Sequence, residues 1–251
     1  MKPKYLGSSE LMDHILDSLE KRKPLAVVSV GATETFVMAQ YNLLSEEEMM
    51  NHLEAEIANK GVKRGHDHRG IRFPNVDARD QAVEAMKSID IAGYNLLWYD
   101  MDSGELTERV FDHYNIWPPY YFECHLRRVI MISQKQKFQK MLTNHKVLII
   151  AGYADEVKVA LEEKGYTVTG AIKIEEIEDI PRVKEELKDY EFDLCLIAAG
   201  TSAIILGAHI KNVYGKVVFD LGQGMETLIT NEIQDSVGVI KNLGLDKLLS
   251  L

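Results

Sequence analysis

Residues 193–224 read DLCLIAAGTSAIILGAHIKNVYGKVVFDLGQG. A short apolar run, rich in Leu and Ile, stops at Gly200. Small hydroxyl residues follow, then an apolar stretch of helical length that ends at Gly215, then the β-branched run KVVFD. Strand, turn, helix and strand of these lengths make one βαβ unit, which requires a parallel pair.

Working upstream, the same alternation repeats. KVLIIAG (146–152) predicts a strand, ADEVKVALEEKG (154–165) a helix stopped by glycine, and YTVTGAIKI (166–174) a strand. DIPRVKEELKDY (179–190) predicts a further helix. Near the N-terminus, SSELMDHILDSLEKR (8–22) carries serine caps and sets Leu11, Ile15, Leu16 and Leu19 on one face. The run LAVVSV (25–30) then predicts a buried strand. SEEEMMNHLEAEIANKG (45–61) predicts a helix capped by Ser45 and stopped at Gly61. DARDQAVEAMKSID predicts one capped by Asp77, and IAGYNLLWYD a strand. Residues 101–125 read as an irregular insertion, with Pro118 and Pro119 blocking helix, and the tail 225–251 as amphipathic helix. The expected fold is a single α/β domain over 1–251, Rossmann-like, with a mostly parallel sheet and helices on both faces.

Composition narrows the function classes. With 29 Lys and Arg against 39 Asp and Glu, the net charge is −10, which argues against a nucleic-acid partner. The two cysteines, Cys124 and Cys195, fit no zinc spacing and read as reduced core thiols. No stretch has the length of a transmembrane span and MKPKYLGSSE lacks the apolar core of a signal peptide, so the expected location is cytoplasmic. HDH (66–68) carries ligand-type side chains without a further ligand at metal spacing. In ECH (123–125), a thiol beside a histidine, adjacent side chains are expected to point apart. There is no Walker loop, GxGxxG or GxSxG.

Parallel sheets bind ligands beyond the carboxyl ends of their strands. Two such ends carry glycine at a helix start: SVGATETF (29–36) and AAGTSAIIL (198–206). In the second, the free amides of the helix start and the hydroxyls of Thr201 and Ser202 suit an anion; ordinary helix capping by either hydroxyl is the competing reading. Asp220, Gly222 and Gln223 close the next strand, where an aspartate can accept from a sugar hydroxyl or simply shape a turn.

Three blocks together resemble one family. SVGATE (29–34) is similar to the GDGE-type turn of GT-D-type glycosyltransferases. LIAAGTSAIILGAHIKNVYGKVVFDLGQ (196–223) resembles their C-terminal block, a G-(P/T)-(T/S)-A helix followed by a strand ending D-(I/F)-G-H. RGIRFPNVDARDQAVEAM (69–86) is similar to a segment of the bacterial branch. The likeness runs in order over roughly residues 20–228.

The resemblance implies transfer of a hexose from a nucleotide sugar to a glycan or glycoprotein acceptor. It implies an Asp-x-Glu turn tied to manganese or magnesium and to the donor. Here the glutamate is Glu34, but the aspartate position holds Ala32, the second glycine is Thr33, and the late histidine is Gln223. Glu34 becomes the expected catalytic residue and the one carboxylate for a metal. Gly31, Thr33, Gly200, Thr201, Ser202, Asp220, Gly222 and Gln223 become expected donor contacts. Arg72, Asn75 and Arg79 become phosphate or acceptor contacts, with Arg79 beside Asp80 also placed for a surface ion pair. Two other readings compete: a nucleotide-sugar-binding sensor or assembly subunit without catalysis, and an unrelated Rossmann-like enzyme such as a methyltransferase. The oligomeric state, homo-oligomer included, is left open.

Overall fold

A computed structural model describes residues 2–61, 69–97, 104–233, 238, 241, 242 and 244–250. Its eight strands are β1 (Lys4–Tyr5), β2 (Leu25–Val30), β3 (Ile91–Tyr94), β4 (Tyr120–Glu123), β5 (Val147–Ala151), β6 (Val168–Lys173), β7 (Leu194–Ala198) and β8 (Val217–Asp220). They form one sheet in the order β1-β4-β3-β2-β8-β7-β5-β6. Every pairing is parallel. The helices that matter below are α1 (Ser8–Glu20), α2 (Ala32–Ala39), α3 (Glu46–Met50), α4 (Leu53–Lys60), α5 (Val76–Met86), α6 (Gly104–Tyr114), α7 (Leu126–Ser133), α8 (Lys135–Thr143), α9 (Ala154–Glu163), α10 (Ile180–Glu186), α11 (Thr201–His209) and α12 (Thr227–Thr230). The Rossmann-like α/β architecture expected from the alternation is what the chain adopts.

Strand periodicity sorts each strand's side chains between two cores. Ala26, Val28 and Val30 of β2 pack with α2, α5, α6, α10 and α11. Leu25 and Val27 pack with α1, α7, α8 and α9. Each step toward the β1 edge (β2 to β3 to β4, β6 to β7 to β8) runs over the first face. Each step toward the β6 edge runs over the second. A single crossover handedness demands this sorting. Both faces are therefore covered, and the central strands read as continuous apolar runs, with β2 buried at all six positions.

The fold departs from the sequence reading at several places. Residues 45–61 form two helices rather than one, because Asn51 ends α3 and the His52 ring accepts from the Glu54 N–H to start α4. Helix α5 is capped by Asn75, whose Oδ1 accepts from the Ala78 N–H at 2.9 Å, and not by Asp77. The expected irregular insertion contains α6 and the strand β4, with Pro118 and Pro119 in the connection just before β4. Both cysteines are free and buried, as expected. The tail carries α12 and a short helix at Leu245–Leu249 among its described residues. HDH (66–68) lies outside the described residues.

The glycines of GQG (222–224) serve close approach. Gly222 has φ +46°. A Cβ on Gly224 would stand 2.2 Å from the carbonyl oxygen of Arg127, so the first turn of α7 rests directly on this backbone. Gly224→Ala is expected to destabilise by about 1–3 kcal/mol, because the obstructing atom is backbone and cannot swing away. Urea denaturation measures it; a loss below about 0.5 kcal/mol would show that α7 shifts without cost.

Candidate functional site

Strand β8 is flanked by β2 and β7. Both neighbours exit to the first face, into α2 and α11, whereas β8 exits to the second, through the turn at 222–226 and α12. Such a reversal opens a crevice at the carboxyl edge. Expected residues from three turns meet there.

Glu34 is the third residue of α2. Its Oε2 accepts from the Gly31 N–H at 2.9 Å, satisfying one free amide of the helix start. Its Oε1 reaches α11: a Cβ on Gly200 would lie 3.3 Å from it. Gly200 holds φ +52°, a conformation that favours glycine, and begins α11 without a side-chain cap. Neither Thr201 nor Ser202 caps the helix; both are buried inside its first turn, and Thr201 Oγ1 has no hydrogen-bond partner.

Asp220 ends β8 and takes donors from Ser29, Arg127 and Gly222. Oδ2 accepts from the Ser29 N–H at 3.0 Å and lies 3.3 Å from Arg127 Nη1; Oδ1 accepts from the Gly222 N–H at 2.8 Å. Burial pushes the carboxyls of Glu34 and Asp220 up from their ordinary range while Arg127 opposes both, and the charge of Asp220 adds to the rise at Glu34. Burial pulls the Arg127 guanidinium down, but Asp220, Cys124, Glu34 and Glu123 together outweigh it and hold it charged. Arg127 was not among the residues read from the sequence. It lies at the second position of an unremarkable LRRVIMIS helix, and only the three-dimensional contact with the β8 exit marks it out.

The remaining expected residues are placed as follows. Thr33 Oγ1 donates to Glu54 at 2.7 Å, and Glu54 is paired with Arg69 at 3.0 Å. The Arg69 carbonyl lies 3.5 Å from a Cβ position on Gly200, and the Gly70 carbonyl accepts from the Ile177 N–H. The 69–70 backbone thus lies over the crevice, and Glu34 is 8% exposed. Gln223 is half-buried in the turn after β8. Arg72, Asn75 and Arg79 are spent on local structure. Arg72 donates to the Asn59 carbonyl, Asn75 caps α5, and Arg79 pairs with Asp80 at 2.8 Å and donates to the Gln40 carbonyl. Two open cavities, of about 310 and 520 Å³, lie elsewhere. The first borders Asp90 and Lys211 near the amino end of β3; the second borders Asn75 and Lys184.

ECH (123–125) does the opposite of what adjacency suggested. The turn between β4 and α7 brings Cys124 Sγ to 3.1 Å from His125 Nδ1 and 3.7 Å from Glu123 Oε1. Glu123 accepts from the N–H groups of His125, Leu96 and Leu97, and the thiol donates to Asn95 Oδ1 at 2.6 Å. Burial, with the charge of Glu123 adding, keeps that thiol protonated, so it is a structural donor and not a nucleophile.

The family model for GT-D fold-like domains matches residues 6–228. The chain belongs to this family. No curated protein and no solved structure matches it. The metal that a GT-D-type Asp-x-Glu turn implies can be tested against these residues. Ala32 offers a methyl, one oxygen of Glu34 is committed to Gly31, and Asp220 already takes three donors, one of them cationic. Among the described residues, this donor set does not fit a resident divalent ion. Among the described residues of this GT-D-like chain, no helix is long and apolar enough to cross a membrane.

Proposed function

We propose that this GT-D-like chain binds a nucleotide sugar and transfers its hexose to a glycan or glycoprotein acceptor. The observation that carries the reading is the meeting of Glu34 with the Gly200 helix start across β8, from turns 166 residues apart by numbering, in a member of this family. The start of α11 offers amides to the diphosphate, and Asp220 stands at the strand end where a ribose or sugar hydroxyl can be accepted. Glu34, as the buried carboxylate facing the sugar, stabilises positive charge at the anomeric carbon as its bond to the phosphate oxygen breaks. The acceptor oxygen forms the new bond, and its proton leaves to solvent or to a carboxylate. We place the reaction inside a single domain spanning the chain, in the cytoplasm.

A second reading, binding without catalysis, is favoured by Ala32 and Gln223, which stand where the resemblance expects an aspartate and a histidine. One experiment separates these from a methyltransferase. The purified chain is heated with a panel of nucleotide sugars and with S-adenosylmethionine. A donor at about 100 times its Kd is expected to raise Tm by roughly 5–10 °C. Turnover of that donor distinguishes transferase from binder; a shift with S-adenosylmethionine alone would sink both.

A further inference from the structure

We propose that Arg127 is the cation that receives the donor's diphosphate, so that binding persists without a divalent metal. The inference rests on the nucleotide-sugar reading above. A guanidinium carries five N–H donors. Arg127, with a side chain 16% exposed, has one partner among the described residues, Asp220, at 3.3 Å, which is long for a charge-assisted bond. Its Nε is buried and has no acceptor. Buried donors are normally satisfied, and a charged one left open is costly. The open donors of Arg127 therefore call for an acceptor that the described residues do not supply.

The surroundings select the kind of acceptor. The guanidinium lies against Gly222, where a Cβ would stand 2.5 Å from Cζ, so its plane rests on backbone at the exit of β8. It sits in the field of both Glu34 and Asp220. An anion enters beside two carboxylates only where a cation offsets them, and its planar fork suits phosphate oxygens. Thr201 Oγ1, 2% exposed and without a partner, adds a second open donor at the start of α11. Arg69, Arg72 and Arg79 are committed to Glu54, to the Asn59 carbonyl and to Asp80.

Calorimetric titration of the full chain tests this, with uridine diphosphate and with inorganic pyrophosphate, first in excess chelator and then with manganese. Wild type is expected to bind both in chelator, with manganese changing Kd by less than about threefold. Arg127→Met should weaken both ligands by at least about tenfold. Arg127→Lys, which keeps the charge and loses the fork, should fall between; it carries the test if circular dichroism shows that the methionine variant is unfolded. Binding abolished by chelator overturns the proposal, and so does unchanged binding in Arg127→Lys together with a folded Arg127→Met. If pyrophosphate binds through Arg127 but no nucleotide does, the anion site stands and the nucleotide-sugar reading falls. If nucleotide binds regardless of Arg127, that reading stands and this one falls. If wild type binds neither, both fall.

Discussion

Asp220→Ala is expected to lower the folding free energy by roughly 3–5 kcal/mol, the largest stability loss of any single change at the site. The variant leaves the Arg127 guanidinium buried without its carboxylate. It also strips the Ser29 and Gly222 N–H groups of their acceptor. Asp220→Asn keeps an acceptor oxygen and should lose only about 1–3 kcal/mol. Removing both charges, in Asp220→Leu with Arg127→Met, should cost less than the sum of the two single changes, because neither partner is then stranded. Urea denaturation of Asp220→Ala, Asp220→Asn, Asp220→Leu, Arg127→Met and the double variant at neutral pH gives the comparison. Additive losses would show that the pair at 3.3 Å contributes nothing as a pair.

Glu34→Gln is expected to reduce turnover of a cognate donor by about 10²–10⁴-fold while leaving its Kd within about threefold. The amide keeps an oxygen for the Gly31 N–H, so the start of α2 survives; what is lost is the negative charge. A fall in affinity that matches the fall in rate would instead assign Glu34 to binding. The same variant has a pH signature. Burial raises the folded-state value of Glu34, with Asp220 adding and Arg127 opposing. The protonated acid is thus the better-tolerated form in the fold. Its contribution to stability is full below the ordinary glutamate range and is lost as pH rises through the raised value. Glutamine cannot ionise. The stability of Glu34→Gln relative to wild type should therefore increase from acidic to neutral pH, and thermal melts at several pH values measure this. A difference that stays flat would show that Glu34 titrates normally.

The architecture was legible because periodicity is local. LAVVSV, KVLIIA and KVVFD bury side chains on both faces, and nothing but a covered parallel strand suits such runs. The meeting of Glu34 with Gly200 was foreseeable from the same logic, since both follow strands of one parallel sheet. What escaped was fixed by partners remote in sequence. Arg127 acquires its role from a turn about 95 residues away by numbering. Arg72 and Arg79 lie in a family-like block, yet Asn59, Gln40 and Asp80 absorb them. The α5 cap moved from Asp77 to Asn75 because the Gln40 side chain ties the Asn75 backbone in place through both its N–H and its C=O. The turn at Cys124 folded three consecutive side chains inward because Glu123 had loop amides at 96 and 97 to satisfy.

The placement of β8 also governs how the chain is made. Its backbone pairs with β2, and the Ser29–Asp220 bond spans 191 residues. During synthesis β2, apolar on both faces, has β3 on one side and an open edge on the other until residue 217 emerges. Long-range closure of this kind slows folding, and an unpaired apolar edge recruits other chains. A ribosome that stalls before the last strand leaves β2 and β7 facing an empty slot. Such products should be found in inclusion bodies, because the slot between β2 and β7 is filled by the four residues VVFD of β8.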